Sequence, residues 1–157
     1  MNRNATLTTF AATFAAAVLA GTASAAPAPA HASLVIRHQL QGCHSWSVNG
    51  GAFKPTQSIA IRSGGWVSVT DDDMMPHTLV QIAGPAAHIA NLATPFTGLG
   101  KRAPRTTGAM TYMGSATKVQ FPRPGVYRFS TKAGEDYVPT TTTGADNVLR
   151  LTVHVSA

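Results

Sequence analysis

Three observations predict an all-β sandwich. Apolar and polar residues alternate with a period of two in short runs, as where Leu34, Ile36 and His38 share one strand face against Val35 and Arg37. Turn-forming clusters separate these runs, among them Asn49-Gly50-Gly51, Ser63-Gly64-Gly65 and Pro122-Arg123-Pro124-Gly125. Past the first 25 residues, only Ala86 to Leu92 reads as a short helix. Seven or eight short strands with such frequent turns fit antiparallel or mixed sheets packed face to face.

The elements follow in order. Residues Ser33 to His38 form the first strand, and a loop from Gln39 to Cys43 pivots on Gly42. Trp46 and Val48 mark a second strand that ends at Asn49-Gly50-Gly51. Gln57 to Arg62 and Trp66 to Thr70 are joined by the Gly64-Gly65 turn. The acidic run Asp71 to Asp73 reads as a solvated bend, since adjacent carboxylates lack the spaced oxygen pattern of a calcium loop. It leads through Met75-Pro76 into a strand from His77 to Ala83, stopped by Gly84-Pro85. Ala86 to Leu92 is predicted as a short helix, and Thr94 to Met110 as loop. Lys118 to Phe121, Val126 to Thr131 and Val148 to Val155 are strands, with a polar loop from Lys132 to Asp146 before the last.

The first part of the 157-residue chain reads as an export signal. Arg3 gives the positive start, Phe10 to Ala20 the uncharged apolar run, and Ala23-Ser24-Ala25 the small-x-small cleavage site. The apolar run is too short for a bilayer span. Residues 1–25 are therefore assigned as signal peptide, 26–32 as a mobile Pro/Ala-rich lead, and 33–157 as one domain of about 125 residues with one core. A cut after Ala30 would instead free His31 as an N-terminal copper chelate, the only route to an oxidative enzyme suggested by the sequence.

Removing Arg3 leaves 11 basic against 6 acidic residues, a net +5 on the mature chain. The charges are scattered apart from Lys101, Arg102 and Arg105, which argues against nucleic-acid binding. No later segment can insert stably in a membrane, and the chain is expected to be a secreted or periplasmic monomer. No Ser-His-Asp set, phosphate loop or paired catalytic carboxylates stands out, so an enzyme is not predicted.

Export implies an oxidising compartment, where the single cysteine, Cys43, has no partner within the chain. It must be buried, linked to another molecule, or metal-bound. His44 follows it directly, and a further histidine, His77, follows Met75-Pro76. A thiolate with imidazoles suits copper, and a thioether favours Cu(I) or a blue-type centre. Zinc also accepts Cys and His.

The stretch Gly65 to Val80, with its alternating valines, acidic residues and Met75-Pro76-His77, resembles the cupredoxin family of exported copper proteins. Phe121-Pro122-Arg123-Pro124-Gly125-Val126-Tyr127-Arg128-Phe129 resembles that family's Phe-x-x-x-Gly-x-Tyr-x-Phe hairpin. The resemblance implies a cupredoxin-like Greek-key β-sandwich over Ser33 to Val155, with His77 as the first copper-binding histidine. It implies electron transfer or copper handling, with a redox or copper-delivery protein as partner.

One departure is plain. Thr131 occupies the position of the family's cysteine, and Lys132 to Asp146 contains no Cys, His or Met. The sequence therefore predicts a relocated site for one copper ion, built from Cys43, His77, His38, His44 and Met113, with Met110 competing for the last place. His38 is placed on the inner strand face, and Met113 is placed inward by continuing the phase of Val119 and Phe121. Each residue also has a structural reading. Cys43 could be a buried apolar thiol, His38 a hydrogen-bonded core imidazole, His77 a loop cap, and Met74 and Met75 loop packing. A metal-free binding module on the same fold is the alternative.

Overall fold

The computed structural model describes residues 26–38, 44–96, 100–131 and 148–157. Its strands are β1 (His31–His38), β2 (His44–Val48), β3 (Thr56–Arg62), β4 (Trp66–Asp71), β5 (His77–Ala83) and β6 (His88–Leu92), followed by β7 (Thr94–Pro95), β8 (Lys101–Arg102), β9 (Ala109–Met110), β10 (Ala116–Gln120), β11 (Gly125–Thr131) and β12 (Arg150–Ser156). No helix occurs among the described residues.

Two five-stranded sheets form the sandwich, in the orders β2-β1-β4-β10-β6 and β3-β12-β11-β5-β9. Two strand pairs are parallel, β1 with β4 and β3 with β12; the other ladders are antiparallel. The β7–β8 ribbon stands apart from both sheets.

Period-two alternation decides which faces meet. Leu34, Ile36, Val67, Val69 and Val119 point inward from the first sheet, and Ile61, Leu79, Tyr127, Phe129, Leu151 and Val153 from the second, all buried. Trp46 and Phe121 complete the core. Phe121 packs edge-on against Tyr127 and Phe129, at centroid distances of 5.0 and 6.2 Å. Burial of each such side chain contributes about 1.5–3 kcal/mol. The Tyr127 hydroxyl donates to the Arg123 carbonyl at 2.7 Å, tying the hairpin turn to its strand. Gly65 is required by close approach, since a Cβ there would lie 2.5 Å from the Ala30 carbonyl oxygen.

Three expectations change. Ala86 to Leu92 forms no helix; His88–Leu92 is β6, paired with β10. The alanine content favours helix locally, but a full antiparallel ladder outweighs it. Gln81 helps set this course, donating to the Pro85 carbonyl at 2.6 Å and accepting from the Ala87 N–H at 3.0 Å. The stretch expected as loop contains β7, β8 and β9, and with β6 these bring the strands among the described residues to twelve rather than seven or eight. The first strand begins at His31, not Ser33, and Pro29 and Ala30 already accept backbone hydrogen bonds from Arg62 and Trp66. The Lys132 to Asp146 loop lies outside the described residues.

Candidate metal centre

Parallel pairing of β1 and β4 sets Ile36 beside Asp71, so both strands run out at the same end of the sandwich. The inward phase of Val67 and Val69 carries forward to Asp71 and then to Asp73, and both carboxylates are buried. Backbone bonds hold this bend. Asp71 N–H donates to the Ser115 carbonyl at 2.9 Å, Gly114 N–H donates to the Asp71 carbonyl at 2.6 Å, and Asp72 N–H donates to the Ile36 carbonyl at 2.9 Å. Asp72 turns outward to Arg37, 2.7 Å from its Nε; half-exposed, this pair adds little stability.

Side chains then organise the turn into β5. Asp71 Oδ1 accepts from Asp73 N–H at 3.2 Å, and Asp73 Oδ1 accepts from Met75 N–H at 2.6 Å. Pro76 restricts the backbone before the strand. His77 follows, wholly buried, facing Met110 across the β5–β9 pair. Its Nε2 lies 3.1 Å from Asp73 Oδ2 and 3.9 Å from Asp71 Oδ1. One donor atom from each of these three residues falls within 4.8 Å of the others. Two buried carboxylates around one imidazole form a locus of negative charge that a proton on the ring or a metal cation would offset.

An open depression of about 400 Å³ adjoins this cluster. His38, Asp73, Met74, Met75 and Met113 line it, with the Arg37–Asp72 pair. Asp73 thus belongs to both, lining the depression and touching His77.

The predicted ligands are placed as follows. His77 is buried at the start of β5. His38 and Met113 meet at the depression, both exposed rather than inward-facing. For His38 the strand has run past the edge of the core; for Met113 the turn before β10 breaks the phase that continues through Val119 and Thr117 to Ser115. The backbone of His44 pairs with that of His38 across β1 and β2. Cys43 lies outside the described residues. Met110, the competitor of Met113, is buried in the core.

Asp71 and Asp73 correct the expectation of a solvated bend, because the strand phase turns them inward. That phase, read on from Val67 and Val69, was the signal for both. Met74 is 81% exposed and lines the depression, as does half-buried Met75.

Thr131 is buried, and its Oγ1 accepts from Leu149 N–H at 3.1 Å, so the end of β11 offers no sulfur and serves the sheet instead. Around the depression, imidazole and thioether groups suit soft copper(I), while the Asp71–Asp73–His77 cluster adds harder donors.

No family model and no curated protein matches the chain. Similar solved structures include amicyanin from Paracoccus versutus, 16% identical over 85% of this chain and 94% of that one, with a TM-score of 0.41. A purple cupredoxin from Nitrosopumilus maritimus is 18% identical over 78% and 98%, with a TM-score of 0.40. Rusticyanin from Thiobacillus ferrooxidans is 14% identical over 80% and 76%, with a TM-score of 0.38. These overlaps are loose, and no residue role passes from them to this chain. The fold is an all-β sandwich of two five-stranded mixed sheets, defined by their own strand order.

Proposed function

We propose that the chain is an exported copper-binding protein of cupredoxin-like fold that handles copper as an exchangeable ion. Copper would be held by Cys43, His77, His38 and His44, with Met113 at the edge. One observation carries this reading. An open depression lined by His38 and Met113 lies against the carboxylate that touches buried His77. The openness of the depression favours exchange with a delivery partner over the enclosed site that electron transfer needs. When bound, copper would supply a soft Lewis-acidic ion; Asp73 would orient the His77 ring, as carboxylates do for metal-binding imidazoles.

The test is titration of the purified protein with Cu(I) and Cu(II), followed by metal analysis and visible absorption. Copper handling predicts stoichiometric Cu(I) binding without intense colour. An intense thiolate–Cu(II) band would shift the assignment to electron transfer. Failure to bind either ion, with Cys43 fully reactive to thiol reagents, would leave a metal-free binding module, a reading favoured by the structural use of Thr131. Mass spectrometry of the exported protein tests cleavage after Ala25.

A further inference from the structure

We propose that Met74, Met75 and Met113, together with His38, form a thioether-rich site for a soft monovalent ion, copper(I) in function, that works without the thiol of Cys43. The proposal rests on the copper reading and deepens it by naming the oxidation state and entry point; it shares His38 and Met113 with the Cys/His set and adds Met74 and Met75.

Methionine is the natural gap-filler of cores, and Met110 behaves in that way, fully buried opposite His77. Met74 and Met113 do the reverse. They are 81% and 55% exposed, although 39 residues of sequence separate them, and they open onto the same depression as half-buried Met75. Two independent turns deliver them. The Asp73 carboxylate, accepting Met75 N–H, shapes the first. The second is pinned to β4 by the Gly114 N–H to Asp71 carbonyl bond, and Tyr112 beside it is tied by its hydroxyl to the Arg102 carbonyl at 2.6 Å. Thioethers presented from two turns to one concavity, with an imidazole beside them, are soft donors that select Cu(I) over harder divalent ions. An apolar docking patch would also expose methionine. The placement of His38 and Asp73 in the same concavity instead introduces a nitrogen and a negative charge suited to a cation.

The experiment uses Ag(I), a redox-inert probe of Cu(I) sites, on the full protein carrying Cys43→Ser, with methionine methyl groups labelled for NMR. Ag(I) is expected to shift the methyl resonances of Met74, Met75 and Met113 and to leave that of Met110 in place. Combined Met74→Leu, Met75→Leu and Met113→Leu changes are nearly volume-conserving at a surface and preserve the fold. They should weaken Ag(I) and Cu(I) binding by about tenfold or more. Bound Ag(I) should also protect Met74 and Met113 from peroxide oxidation, since a sulfoxide and a metal–thioether bond compete for one sulfur. Unshifted methyl groups, or undiminished Ag(I) binding in the triple variant, would overturn the proposal. Because Cys43 is already absent, those outcomes are distinguishable from failure of the Cys/His centre, which is read from Cu(I) titration of protein that retains Cys43.

Discussion

His77 and Asp73 form a buried imidazole–carboxylate pair, Nε2 to Oδ2 at 3.1 Å, at the point where β5 leaves the bend after β4. The same carboxylate accepts Met75 N–H through its other oxygen. One side chain therefore orients the ring and shapes the turn that carries two methionines to the depression.

Asp73→Ala should remove both bonds at once. A buried pair broken on one side costs about 3 kcal/mol. Urea unfolding should show that loss, and Asp73→Asn, which keeps an acceptor for Met75 N–H, should lose less.

Cys43→Ser and His77→Ala should each weaken copper binding by roughly tenfold or more if both are ligands. Cys43→Ser should leave the fold intact and abolish any thiolate absorption. Competition titration against a chelator is the measurement. Retention of parental affinity in both variants would remove the Cys/His assignment.

Thr131→Val should cost about 1–2 kcal/mol, because it deprives Leu149 N–H of a buried acceptor. Copper affinity should not change. A fall in affinity would mean that this position still takes part in metal binding.

Asn91→Ala should loosen the segment that leads to Met113. The Asn91 amide donates to the Pro104 and Thr106 carbonyls at 2.7 and 2.6 Å and accepts from Gly108 N–H at 2.8 Å and from Thr117 Oγ1 at 3.2 Å. The site is partly buried, so a loss of about 2 kcal/mol is expected. Hydrogen exchange should accelerate over residues 104–110 before the rest of the sandwich responds.

Long strands were legible where a face is half-buried. Trp66 to Thr70 and Val126 to Thr131 alternate cleanly, and the structure places strands there. The segment from Pro85 to Ser115 was not legible, since β7, β8 and β9 have two residues each and too few positions for a period. Around β6, Ala86, Ala87 and Ala90 suggest helix and hide a strand whose identity comes from pairing Lys118 with Ala90 and Val119 with Ile89. At the candidate site, Met75-Pro76-His77 was visible as a motif. Asp71 and Asp73 were hidden by composition, because an acidic run suggests solvent, while the phase inherited from Val67 and Val69 turns both toward the interior. Convergence of Met74 with Met113 depends on two turns meeting in space, which local sequence does not encode.

The parallel β3–β12 ladder joins Thr56 to Arg150 and Ser156 to Arg62, and β12 lies between β3 and β11. Half of the sandwich therefore lacks an inner member until residues 150–156 have been synthesised. Partners so remote along the chain make assembly slow, because loop-closure entropy must be overcome before the ladder can form. A nascent chain stopped short of residue 150 would present the open edges of β3 and β11 to any neighbouring strand.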